Sequence, residues 1–347
     1  MIHRTAPSWQ TNAAKEHRLV ITSDLSWQQH LQQAITEPAE LLSYLELSPQ
    51  YLDAAIKASQ LFPLKAPKPF LQRIEKGNIN DPLLKQILPI DEELLSVAGY
   101  SVDPVGEQAD QPSGMIHKYH GRVLLIVNGH CAVNCRYCFR RHFPYDDNRL
   151  SRSEWDDAIS QIATDDSISE VIYSGGDPLA SNDKQLLWLT QQIAAIPHIK
   201  RLRIHTRLPV VIPNRITDAS LEWMTNHRLA TVVVLHMNHA NELNDETLRH
   251  SIQMMKNAGI TVLNQAVLLK GINDSVEDLA QLSEASFDAG VIPYYLHVLD
   301  KVDGSAHFGI ADSEAKKLHQ QLTHYLPGYL VPKLVREIAN MPAKVAI

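Results

Sequence analysis

The chain has 347 residues, with 32 Lys+Arg against 39 Asp+Glu, a formal charge of −7, and 44% hydrophobic and 20% charged residues. That balance describes a weakly acidic globular protein with core enough for about two domains, and no basic block marks it as a nucleic-acid binder. No apolar run approaches the roughly 20 residues of a membrane span, and Met1-Ile2-His3-Arg4-Thr5 lacks the apolar core of a secretory signal, so a cytoplasmic location with no membrane partner is expected.

Up to about residue 115 short helical patterns alternate with proline. Ser26 is placed to cap a helix over Trp27 to Ile35, and Ser48-Pro49 to open one through Ser59. Residues 1–115 therefore read as a helical leader, and 116–347 as the main domain. From Arg122 the texture changes. Strand candidates are Val123 to Val127, Glu170 to Tyr173, Arg201 to His205, Thr231 to His236, Thr261 to Leu268, Ile292 to Val298 and Tyr329 to Val335. Helical segments separate them: Ser151 to Ala163, Asp183 to Ala195, Thr217 to Asn226, Asn244 to Ala258, Ser275 to Ala289 and Asp312 to Tyr325. Capping boxes at Ser151…Glu154 and Ser275…Asp278, and glycine stops at Gly259 and Gly290, fit that division. Strands joined by helix-length segments imply a parallel sheet, closed or partly closed into a barrel, with its chemistry at the carboxyl ends of the strands.

All three cysteines, Cys131, Cys135 and Cys138, lie in one CxxxCxxC segment just after the first of these strands. A tight, odd triplet is no disulfide framework and points to metal ligation. Three thiolates can hold three irons of a four-iron cluster and leave the fourth open. A structural zinc site completed by His130 or His142 is the alternative. The next strand ends Ser174-Gly175-Gly176-Asp177, where glycines allow close backbone approach and the aspartate offers an anion to an ammonium group.

The cysteine motif with Tyr137 before its last cysteine, followed one strand later by Gly-Gly-Asp, resembles the radical S-adenosylmethionine (radical SAM) superfamily. Further segments resemble its lysine 2,3-aminomutase family: His117-Lys118-Tyr119-His120-Gly121-Arg122, Phe139-Arg140-Arg141-His142, His236 to Glu242, Asn264 to Asp274 and Pro293 to Asp300. The resemblance runs from about Pro112 to Lys344 and implies an α/β partial (βα)6-type parallel barrel of the radical SAM kind with an N-terminal helical leader. It implies a [4Fe-4S] cluster on the three cysteines, with Tyr137, Ser174, Gly175, Gly176, Asp177, His236 and Asn238 around S-adenosylmethionine.

Pyridoxal phosphate is implied as well, with Lys344 as its Schiff-base lysine and Lys118, Arg122 and Gln265 near its phosphate. For an L-lysine substrate, Arg140 would pair with the α-carboxylate, and Asp300 and Glu337 with the distal ammonium. Three departures stand out: Lys118 replaces an arginine, Glu337 replaces an aspartate, and Asn340-Met341-Pro342-Ala343 replaces a glycine-rich run before Lys344. The lack of further cysteines implies no structural zinc. These features resemble the elongation factor P branch, which makes (R)-β-lysine by a radical 2,3-amino shift. The resemblance thus implies functional links to elongation factor P, its lysyl ligase and a reductant. The rival readings are a free-standing catabolic amino-acid aminomutase and a zinc-binding interaction protein.

Overall fold

The computed structural model describes residues 25–108, 114–145, 150–339 and 341–347. Among the described residues nine strands form one sheet in chain order. They are β1 (Met115–Tyr119), β2 (Arg122–Asn128), β3 (Glu170–Gly175), β4 (Arg201–Thr206), β5 (Ala230–His236), β6 (Thr261–Leu268), β7 (Ile292–Val298), β8 (Lys333–Arg336) and β9 (Val345–Ala346). β2 to β8 run parallel, while β1 and β9 pair antiparallel at the two ends. Among the described residues β1 and β9 each pair with one strand, so the barrel is open between them.

Helices Arg152–Thr164, Asp183–Ala195, Asp218–Thr225, Glu246–Asn257, Val276–Ala289 and Asp312–Tyr325 follow β2 to β7 in turn. Local chemistry starts and stops them. Ser151 and Glu154 exchange the two bonds of a capping box, and Gly290 ends its helix in the left-handed region, where a Cβ would be strained. At Ser275 only half of the expected box forms: the hydroxyl accepts from the Asp278 N–H but donates back to the Asp278 carboxylate.

Side chains alternate across each strand. On β6, Val262, Asn264, Ala266 and Leu268 are buried, whereas Gln265 and Val267 face a central cavity. The same period places Ser174, His205, His236 and His297 on the cavity side near the carboxyl ends of β3, β4, β5 and β7.

The structure departs from the expected elements at several points. The first helix stops at Gln32, because Ile35 pairs instead with Ala66 in an antiparallel bridge. Pro49 opens a single 3-10 turn before the helix Leu52–Leu61. The last parallel strand begins at Lys333 rather than Tyr329, since Pro332 supplies no N–H and a 3-10 turn occupies Gly328–Leu330. β1 and β9 had no alternating signal long enough to read.

The segment before the barrel packs into the same continuous core: Leu41, Leu45, Phe70 and Leu84 share one cluster with Val123, Tyr173 and Leu235. It is also tied to the cysteine loop. Arg136 donates to both oxygens of Glu93 at 2.8 and 2.6 Å, Arg141 adds a third bond at 2.8 Å, and the Arg136 and Glu93 side chains are 0% exposed. Removing one member of such a pair leaves charge buried without compensation. Glu93→Ala is therefore expected to lower stability by about 3–5 kcal/mol, read as a lower urea midpoint.

Candidate active site

One cavity of about 1360 Å³ opens at the carboxyl ends of the parallel strands. Of the seventeen residues anticipated for the site, Asn238 alone does not line it. Cys131, Cys135 and Cys138 lie on the loop after β2, which is held by Asn134 N–H to the Lys65 carbonyl (3.1 Å) and Arg136 N–H to the Gln86 carbonyl (2.9 Å). Burial pushes the Cys131 thiol well up and the Cys138 thiol up to about 11. Each thiol also has a cation at hand: Lys65 for Cys131, Arg207 for Cys135, and Arg140 with Arg141 for Cys138. Cations of this kind favour the thiolate that a metal requires. Among the described residues no three His, Cys, Asp or Glu side chains are grouped to hold a single metal ion. His130 is exposed and His142 is turned toward the Asp303 carbonyl at 3.3 Å.

The glycine pair serves backbone packing first. Gly175 has φ +119°, and a Cβ there would lie 2.4 Å from the Asn128 carbonyl oxygen; one on Gly176 would lie 2.8 Å from Gly129 and His130. Gly176 and Asp177 donate their N–H groups to Asn128 and His130 at 2.7 and 2.9 Å, which clamps the end of β3 to the cysteine loop. Asp177 differs from expectation. Its oxygens accept from the N–H groups of Leu179, Arg207 and Leu208 and from the Thr206 hydroxyl at 2.7 to 3.0 Å. With four donors satisfied it organises the turns after β3 and β4, and it holds no spare acceptor for a bound ammonium.

Behind Tyr137 lies a buried polar network that the motifs did not reveal. The Tyr137 hydroxyl receives bonds from Arg207 Nη1 and Asn238 Nδ2, both at 2.6 Å, and lies 2.9 Å from His236 Nε2. Asn238 is fully buried, with its Oδ1 on the Val267 N–H, so it positions Tyr137 rather than meeting a ligand. Burial, with the Arg207 cation, lowers His236 to about 3 and keeps its ring neutral.

A second network joins the residues expected to meet cofactor and substrate. Lys344 donates to Glu337 at 2.6 Å; Glu337 also takes the Tyr119 hydroxyl and lies 3.8 Å from Lys118. Lys118 donates to Glu107 at 3.1 Å, and Glu107 accepts from Arg140 Nε and Nη2 at 2.6 and 3.2 Å. Burial alone would raise the Glu107 carboxyl, but Arg140 and Lys118 bring it down to about 2. Arg140 Nη1 is directed at Ser174 Oγ and the Gly175 carbonyl at 3.1 and 3.2 Å. Its fork thus already holds a carboxylate, that of Glu107, which no local motif marks. Arg122 stacks on Tyr119, 4.7 Å from the ring centre. Lys344 arrives through β9, whose pairing with β8 folds the chain end back over Glu337.

Comparison with known proteins gives this arrangement its family. The radical SAM superfamily profile matches residues 125–283. An L-lysine 2,3-aminomutase from Escherichia coli is 50% identical over 92% of this chain and 93% of its own length. The chain belongs to the lysine 2,3-aminomutase family. A second member of that family, the L-lysine 2,3-aminomutase from Haemophilus influenzae, is 48% identical over 94% of this chain and 96% of its own length. Among solved structures, a radical SAM methyltransferase from Sphaerobacter thermophilus is similar at a TM-score of 0.42 and 16% identity, over 62% of this chain and 66% of that one. Membership in this family makes the protein a radical SAM isomerase, and the radical SAM superfamily implies a [4Fe-4S] cluster and S-adenosylmethionine. No helix among the described residues is long and apolar enough to cross a membrane.

Burial pushes the Asp300 carboxyl up to about 7, against the pull of the Lys344 cation. An unfolded aspartate titrates near ~3.9, so the native state keeps the proton longer and this group lowers stability as pH rises from about 4 to about 7. Asp300→Asn is therefore expected to stabilise the cofactor-free protein by roughly 2–4 kcal/mol at pH 8, and by less than about half of that at pH 5. Urea unfolding at the two pH values measures the difference.

Proposed function

We propose that the protein isomerises L-lysine to (R)-β-lysine by a radical 2,3-amino shift and that the product supplies the modification of elongation factor P. One observation carries the substrate reading: the chain's own Lys344 ammonium rests on Glu337, in the field of Asp300, inside the cavity that the cysteine loop also lines. A free lysine presents that same ammonium, and two carboxylates facing the cavity favour it over shorter or neutral side chains.

When bound, the cluster, S-adenosylmethionine and pyridoxal phosphate supply the radical and the electron sink. The donor set fits them. Cys131, Cys135 and Cys138 would hold three irons. Lys118 and Arg122, on the β1–β2 hairpin, offer charge to the cofactor phosphate, with Gln265 on the same cavity. Lysine at position 118 acts as a point charge where an arginine would form a fork. Lys344 would hold the cofactor through its side-chain nitrogen, and Glu337 and Asp300 would then be the carboxylates left facing the substrate ammonium. Arg140 takes the α-carboxylate in exchange for part of its hold on Glu107, and the barrel walls exclude water. The link to elongation factor P rests on the resemblance of the sequence to that branch. Deleting the gene is expected to remove β-lysine from the factor, seen by mass spectrometry, whereas a catabolic aminomutase would leave it.

Anaerobic incubation with L-lysine, S-adenosylmethionine, pyridoxal phosphate and a reductant is expected to yield (R)-β-lysine on chiral chromatography; unchanged lysine would sink the reading. Cys135→Ala should abolish both the iron–sulfur absorbance and turnover. Lys344→Ala should retain the cluster but lose cofactor fixed by borohydride. Asp300→Ala should lower kcat/KM for lysine on the order of 10²-fold, the equivalent of one lost charged hydrogen bond.

A further inference from the structure

Arg207 follows β4 and is buried at 6% exposure. Its Nη1 donates to Cys135 Sγ at 2.7 Å as well as to Tyr137, and its Nη2 donates to Gln86 Oε1 at 2.7 Å and Glu242 Oε2 at 3.0 Å. Glu242 is fully buried and is itself held by the N–H groups of Asn238 and His239 at 2.7 and 3.2 Å. Asp177 accepts the Arg207 N–H at 2.7 Å and so sets where the side chain leaves the backbone. The guanidinium is therefore fixed from behind and aimed at one sulfur.

A surface arginine that balanced the charge of the cysteine loop would not need four side chains to orient it. Reducing a four-iron cluster by one electron adds negative charge that is shared by its sulfurs. A buried cation donating a hydrogen bond to one of those sulfurs stabilises the reduced form more than the oxidised one. A carboxylate behind that cation acts in the opposite sense, weakened by its greater distance.

We propose that Arg207 is a positioning residue that sets the reduction potential of the iron–sulfur cluster through Cys135, with Glu242 as the opposing charge behind it. The inference rests on the cluster reading above and goes beyond it. Neither residue touches S-adenosylmethionine or lysine in this scheme, so the readout is the potential itself.

The experiment is an EPR-monitored redox titration of the anaerobically reconstituted full-length protein, its Arg207→Gln variant and its Glu242→Gln variant. Iron content and absorbance are measured first; if the parent protein assembles no four-iron cluster, the cluster reading and this one fall together. With clusters present, Arg207→Gln is expected to lower the reduced-to-oxidised ratio at a given potential about tenfold, a downward shift of about 59 mV for one electron. Glu242→Gln is expected to shift it upward. A purely structural role predicts no such opposition of sign. Loaded variants with the parent's potential, or shifted in the same direction, would overturn the proposal. Should Arg207→Gln fail to fold, Glu242→Gln decides alone: an upward shift supports the assignment, and no shift or a downward one overturns it.

Discussion

Charge cannot be buried in this cavity without a partner, and that constraint organises the structure around it. Lys344, Glu337, Lys118, Glu107 and Arg140 form a continuous chain of alternating sign across the cavity wall. Arg207 with Glu242, and Arg136 with Glu93, repeat the pattern beneath and beside the cysteine loop. An isolated buried ion costs several kcal/mol, so each of these side chains holds its position because its neighbour does.

The chain of charges also prepares the site for what it is proposed to bind. A phosphate at Lys118, a carboxylate at Arg140 and an ammonium between Glu337 and Asp300 would each replace a protein ion with a ligand ion of the same sign. The site therefore need not create new buried charge when it fills; it exchanges one compensated set for another. Such preorganisation lowers the cost of ordering side chains on binding. Asp300 is the exception: among the described residues its carboxyl group has no hydrogen-bonded partner, it is raised to about 7, and it gains most from an arriving ammonium.

Much of the barrel was legible in the chain itself. Period-2 strands and capped helices are local, and the structure follows them within a residue or two from β2 to the helix Asp312–Tyr325. The cysteine loop and the glycine pair were legible for the same reason, since spacing and side-chain type are linear properties. What the glycines do was not: the close approach that requires them is between β3 and the cysteine loop, two segments about fifty residues apart. Asp177 and Asn238 show the same limit. Each stands in a recognisable segment, yet whether a polar group meets a ligand or is consumed by backbone donors depends on distant N–H groups.

By itself the sequence determined the alternation of strand and helix, the single thiol segment and the family to which both belong, because all three are written in near-neighbour order. Only the tertiary structure decided the pairing of charges. Glu107 and Arg207 carry no local signature, Glu242 ends a recognisable segment that does not name its partner, and a lysine at the fourth position from the chain end reads as a solvated tail. Lys344 becomes a half-buried cation on Glu337 because the β8–β9 pairing turns the end of the chain back into the cavity. Compensation of a buried charge is a contact between surfaces, and it exists only once the chain has folded.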